Sequence, residues 1–178
     1  MNPKVLPQAA WSVVRRLERA GVLDGWTLAG GTALALQLGH RISIDLDFFR
    51  HGAPELAPLR EALAGLGRLE VVAMAPGTLH CRLDGIHLTF LRSEVPFLYE
   101  TTLYRGLQLA DVRDIAAMKV IAVAGRGSRK DFIDLYAFLE AGASFGDLMK
   151  IVEQRYRGTE YNAMPLLRSL VYFADREA

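Results

Sequence analysis

Asp45 and Asp47 are two carboxylates separated by one residue, within a run (Ile42–Phe49) that alternates apolar and polar side chains. Such alternation predicts a strand over 42–49, with Ile42, Ile44, Leu46 and Phe48 on one face and Ser43, Asp45, Asp47 and Phe49 on the other. Two carboxylates that close repel each other unless a cation or donors stand between them. A Mg²⁺ shared with the phosphates of a nucleotide meets that requirement and supplies Lewis-acid chemistry. Gly30-Gly31-Thr32 lies thirteen residues before Asp45, counted from Thr32. A double glycine opening a helix lets the backbone approach an anion, and the first amides of that helix are unpaired. Thr32 adds a hydroxyl, while Arg41 and Ser43 bring further phosphate-binding groups beside the carboxylates. His40 reads as a loop residue. His51, His80 and His87 have no zinc-binding spacing with one another or with Cys81, the only cysteine.

These groups need elements to hold them. Pro7 and the spacing of Ala10, Val13, Val14 and Leu17 predict a helix over 7–20, ended by Gly21. A short strand over 26–29 precedes the glycines, and a helix over 32–38 follows them and stops at Gly39. A leucine stripe predicts a helix over 54–66. Strands are expected at 69–74, 79–83 and 86–91, the last two joined through Asp84-Gly85, a pair suited to a tight hairpin turn. Helices then take over: one capped by Asp111 or Asp114 and running to about 124, then 129–140, 144–156 and 161–174. The order divides the chain into an α/β core (1–110) and a C-terminal helical region packed on it (111–178).

The 178 residues are 51% hydrophobic, which suits a folded domain and argues against disorder. A net charge of +1 gives no global attraction to nucleic acid, so any such contact must be local. One cysteine forms no intrachain disulfide, and Cys81 is expected in the core. The opening MNPKVLPQAAWSVVRR lacks the apolar stretch of a secretion signal, and no apolar run has the length of a membrane span. The expectation is a cytoplasmic protein without membrane partners.

Three blocks carry a resemblance: Gly30-Gly31-Thr32-Ala33-Leu34, His40-Arg41-x-Ser43-x-Asp45-Leu46-Asp47-Phe48-Phe49, and Asp114-Ile115-x-x-Met118-Lys119 leading to Arg129-Lys130-Asp131-Phe132-x-Asp134-Leu135-Tyr136. Together they resemble the AbiEii-type nucleotidyltransferase toxins of the polymerase-β-like nucleotidyltransferase superfamily, over about residues 26–140. The resemblance implies an α+β fold, a mixed sheet with flanking helices and a short C-terminal helical bundle. It implies that Gly30, Gly31 and Thr32 cradle phosphate and that Asp45 and Asp47 hold Mg²⁺. Lys119 matches a lysine that approaches the nucleotide, and Asp131 or Asp134 matches a later acidic motif. The implied activity moves a nucleoside monophosphate from a nucleoside triphosphate to an acceptor hydroxyl, with transfer RNA as an acceptor and an antitoxin protein as a partner. Arg126, Arg129 and Lys130 form a local basic cluster where an RNA acceptor would be met. One departure stands out. Superfamily members carry a third carboxylate on a later central strand, whereas the strand at 86–91 presents His87 and Thr89 and no acid. That leaves open a second reading, a nucleotide-binding or regulatory module on the same fold with weakened catalysis. An Asp-x-Asp phosphatase fits worse, because Phe49 occupies the place of its small fifth residue.

Overall fold

The computed structural model of the chain describes residues 1–125 and 127–159. Arg126 and the helix expected at 161–174 lie outside the described residues. After a single 3₁₀ turn at Pro3–Val5, the elements are α1 (Gln8–Arg19), β1 (Thr27–Ala29), α2 (Gly30–Leu38), β2 (Leu46–His51), α3 (Leu56–Ala64), β3 (Leu69–Ala75), β4 (Thr78–Leu83), β5 (Ile86–Ser93), β6 (Thr102–Tyr104), β7 (Leu107–Leu109), α4 (Val112–Gly125), α5 (Arg129–Glu140) and α6 (Phe145–Arg155).

The strands form one mixed sheet in the order β3-β4-β5-β2-β1-β7-β6. β2 sits at its centre, parallel to β5 and antiparallel to β1. Alternation decides which face is which. Leu46 and Phe48 of β2, Leu79, Cys81 and Leu83 of β4, and Leu88 and Phe90 of β5 are buried. α1 and α3 pack on this part of the sheet, where Phe90 stacks on Phe48 and meets Trp26 edge-on. Burial pushes the Cys81 thiol up to about 11, so it is an unreactive core group. The opposite face of the same strands presents Asp47, Phe49, His80, Thr89 and Leu91, and α4 crosses near it. α4, α5 and α6 share a second apolar cluster built on Ala116, Ala117, Val120, Val123, Leu135, Phe138, Leu148 and Val152.

Several elements match the sequence reading closely. Asp84 and Gly85 take φ of 49° and 83° between β4 and β5, the two left-handed residues that a tight hairpin needs. Asp111 is the cap of α4, its carboxylate accepting the Arg113 amide at 2.9 Å. Asp114 turns inward instead. It accepts the amides of Leu98 and Tyr99 at 3.0 Å and pairs with buried Arg155, which ties α6 and the loop after β5 to α4.

Two readings need correction. The strand expected over 42–49 begins only at Leu46, and Ile42 and Ile44 are 65% and 48% exposed. Neither β1 nor β5 pairs with residues 41–45, because the ladders start at Asp47 and Leu46. The backbone there is held otherwise: the Ser43 amide donates to the Val5 carbonyl at 3.1 Å. The short hairpin β6–β7 has no counterpart among the strands expected from sequence. Its strands are three residues each, and its turn is Arg105-Gly106, with φ of 49° and 81°. Arginine in that turn gives no compositional signal.

Candidate active site

β1 runs straight into α2, and the junction is Gly30, at φ +66°. A Cβ at Gly30 would stand 2.8 Å from Asp47 Oδ2, so a larger residue is excluded by conformation and by space. α2 is buried through Gly31, Thr32, Ala33, Leu34, Ala35 and Leu36, which fixes the position of its first turn against the sheet and α4. The Thr32 hydroxyl donates to the Asp45 carbonyl and receives the Ser43 hydroxyl at 2.8 Å. Thr32 and Ser43 are both buried. These bonds anchor the 41–45 loop to α2, and Ser43 also borders the small polar pocket that holds Asp45 and Asp47.

Asp45 and Asp47 line the same small polar pocket of about 80 Å³, together with Gly31, Arg41, Lys119 and Asp131. Asp47, Lys119 and Gly30 also border a larger cleft of about 560 Å³, a size suited to a small ligand. The sheet supplies the cleft's floor through Phe49, Thr89 and Leu91, and Met118, Ile121 and Tyr156 complete its apolar walls. The cavity is thus polar and acidic at one end and apolar along its length.

Asp134 organises the cationic residues. Its carboxylate is fully buried and receives Arg41 Nε at 2.7 Å, Arg41 Nη2 at 3.0 Å, His40 Nε2 at 2.8 Å and Lys119 Nζ at 2.7 Å. Burial alone would raise its pKa, but the hydrogen bonds from His40 and Arg41 and the Lys119 charge outweigh it. Together they hold Asp134 well below the usual carboxylate range. Lys119 also donates to Asp131 at 2.8 Å, and Asp131 accepts the Ser128 hydroxyl at 2.8 Å. Lys119, Asp131 and Asp134 thus form a buried network, with Asp131 and Asp134 one helical turn apart on α5.

Donor counting shows what remains for a ligand. An ammonium has three N–H bonds, and Asp131 and Asp134 take two from Lys119. The third is left to the cavity that Lys119 borders. A guanidinium has five N–H bonds, and Arg41 uses three on Asp134 and the Ile42 carbonyl. Arg41 lies directly over Gly31, where an added Cβ would approach its Nη2 to 2.0 Å. Gly31 thus serves as the seat of Arg41, beyond the phosphate approach expected of it.

The structure therefore brings together Gly30, Gly31, Thr32, Arg41, Ser43, Asp45, Asp47, Lys119, Asp131 and Asp134. Arg129 and Lys130 are exposed at the start of α5, and Lys130 borders the small pocket. His40 and Ser128 belong to the site as well. His40 directly precedes Arg41, and Ser128 stands one helical turn before Asp131, a spacing that favours side-chain contact at a helix start. Two hard carboxylates suit a Mg²⁺ that completes its shell with water and phosphate oxygens. Among the described residues no three His, Cys, Asp or Glu side chains form a closed metal cage.

Comparison with known proteins bears on the family and the fold. Residues 12–82 match the family model described as "Nucleotidyl transferase AbiEii toxin, Type IV TA system". An uncharacterized protein of Aquifex aeolicus (strain VF5) is 36% identical over 162 residues, covering 87% of this chain and 77% of the relative. Among solved structures, ANT(2")-Ia in complex with adenylyl-2"-tobramycin superposes with a TM-score of 0.61 at 13% identity, over 83% of this chain and 97% of that one. The Megavirus polyadenylate synthase gives 0.55 at 15% identity over 79% of this chain, which spans only 32% of that enzyme. A putative nucleotidyltransferase from H. pylori gives 0.53 at 20% identity, over 84% and 77% of the two chains. These structural likenesses show the fold, a mixed seven-stranded sheet with flanking helices. The chain belongs to the AbiEii nucleotidyltransferase family, and its class of chemistry is nucleotidyl transfer.

Proposed function

We propose that the protein transfers a nucleoside monophosphate from a nucleoside triphosphate to an acceptor hydroxyl, releasing pyrophosphate, with Mg²⁺ held by Asp45 and Asp47. The observation that carries this reading is the shared border of two cavities: Asp47 and Lys119 line both the acidic pocket and the apolar cleft. When bound, the cation offsets triphosphate charge and polarises the phosphorus centre. The chain's own groups do the positioning. The first amides of α2 and the remaining Lys119 and Arg41 donors face the phosphates, while Asp134 and Asp131 keep both cations extended and in place. Phe49, Leu91, Met118, Ile121 and Tyr156 give the nucleoside an apolar slot.

The acceptor we favour is RNA, including transfer RNA, met by Arg129 and Lys130 at the exposed start of α5. The family's description supports a toxin role with a cognate antitoxin protein. Structures of a polyadenylate synthase and of a protein bound to adenylyl-2"-tobramycin fit a fold that serves different acceptors. A second reading, binding without turnover, draws on Thr89: it pairs with Asp47 across β2 and β5 and is not an acid.

The test is incubation with Mg²⁺, total RNA and each of the four triphosphates labelled at the α-phosphate. Label in RNA that disappears with a chelator is expected for at least one base. Nucleotide binding with no label transferred from any base would replace the transferase reading with the second one.

A further inference from the structure

A transferred nucleotide needs an acceptor oxygen stripped of its proton, and the carboxylates described above are already engaged. Asp134 is bound by Arg41, His40 and Lys119, Asp131 by Lys119 and Ser128, and Asp45 and Asp47 are assigned to the cation. The sheet offers another base. Asp47 on β2 pairs with Thr89 on β5, and Thr89 pairs with His80 on β4. The three residues form one row across three adjacent strands, on the face opposite Leu79, Cys81, Phe90 and Phe48. All three border the 560 Å³ cleft. Neighbouring strands are about 4.8 Å apart, which sets His80 roughly 10 Å along the row from Asp47. That interval accommodates a phosphorus centre and an attacking hydroxyl between the two.

We propose that His80 is the general base that activates the acceptor hydroxyl, with Thr89 as its positioning residue. This rests on the nucleotidyl-transfer reading above. His80 Nδ1 lies 3.3 Å from Thr89 Oγ1. With the Nδ1 proton donated to that oxygen, Nε2 keeps its lone pair for the cleft, as a base requires. His87 is unsuited to this role, since it lies at the outer end of β5, where its Nε2 receives Arg82 Nε at 3.1 Å. In the reaction, Nε2 takes the acceptor proton as the acceptor oxygen bonds to the α-phosphorus. The bond from that phosphorus to the bridging oxygen breaks, and pyrophosphate leaves with the electron pair. The imidazolium then returns its proton to water.

The test measures transfer to total RNA and, separately, Mg²⁺-dependent triphosphate binding by calorimetry, for the wild-type chain, His80→Ala, His80→Gln and Thr89→Val. Glutamine can keep a hydrogen bond to Thr89 but cannot take up a proton. Both His80 variants are expected to lose about 10²–10⁴-fold in turnover with triphosphate affinity kept within about twofold. Free imidazole should restore part of the activity of His80→Ala and none of that of Asp47→Ala. Thr89→Val should lose less than either His80 variant. Undiminished turnover in His80→Gln overturns the proposal, as does a loss of binding that matches the loss of turnover. A wild-type chain that transfers nothing overturns the transferase reading itself, and this one with it.

Discussion

Asp134 receives Arg41, His40 and Lys119, so its neutralisation touches all three side chains. Breaking a buried ion pair by removing one partner leaves an uncompensated charge, which costs about 3–5 kcal/mol. Asp134→Asn should therefore lower the unfolding free energy by an amount in that range, read from denaturant titration at neutral pH. The carboxylate's depressed pKa gives the same residue a pH signature. An unfolded aspartate takes up its proton near pH 3.9, and folded Asp134 does so only at lower pH. Its stabilisation is complete above about pH 4 and drains away as pH falls further, so the wild-type chain should lose stability there more steeply than Asp134→Asn. At this scale the grouping of the candidate site was legible in the sequence: Asp45, Asp47, Arg41, Lys119, Asp131 and Asp134 border one small pocket or pair with residues that do. The His40–Asp134 contact and the row of Asp47, Thr89 and His80 escaped it because they depend on which residues face each other across the fold. Separations of 94 residues for His40–Asp134 and 42 for Asp47–Thr89 leave no local spacing to read.

At the scale of elements, the loop 41–45 matters most, since it presents Arg41 and Asp45 without being part of the sheet. Alternating side chains suggest a strand throughout 42–49, yet alternation describes side-chain types and not ladder partners. Buried Ser43 and exposed Ile42 and Ile44 reverse the phase that Leu46 and Phe48 establish. The Thr32 bonds and the Arg41–Asp134 pair hold this loop against α2 and α5. Gly31→Ala tests that arrangement. Its Cβ would displace the Arg41 guanidinium and break two charge-assisted bonds, each worth about 1.5–3 kcal/mol. Triphosphate affinity should fall at least tenfold while the helical content, measured by circular dichroism, remains that of the wild type. Unchanged affinity would mean that Arg41 has no part in holding the nucleotide.

Across the whole molecule, a central parallel pair of strands carries Asp47 and Thr89, while α4 and α5 deliver Lys119, Asp131 and Asp134 to the same side. The fold class was readable because the α/β front and helical back follow one another in the chain. The strand order was not, since β2 meets β5 across a hairpin and a helix, and β7 returns beside β1. Among the described residues no helix is long and apolar enough to cross a membrane. On the function proposed above, the assembled parts make a socket for a metal-bound nucleotide, with Asp45 and Asp47 at its head. The most direct measurement is calorimetric titration of the four triphosphates, with and without Mg²⁺, into the wild-type chain and Asp45→Ala/Asp47→Ala. The wild-type chain should bind at least one triphosphate in a Mg²⁺-dependent manner. The double variant should lose that binding by about a hundredfold or more, equivalent to roughly 2.7 kcal/mol, with the circular dichroism spectrum of the wild type retained. Equal Mg²⁺-dependent affinity in the two proteins would contradict the account at its centre.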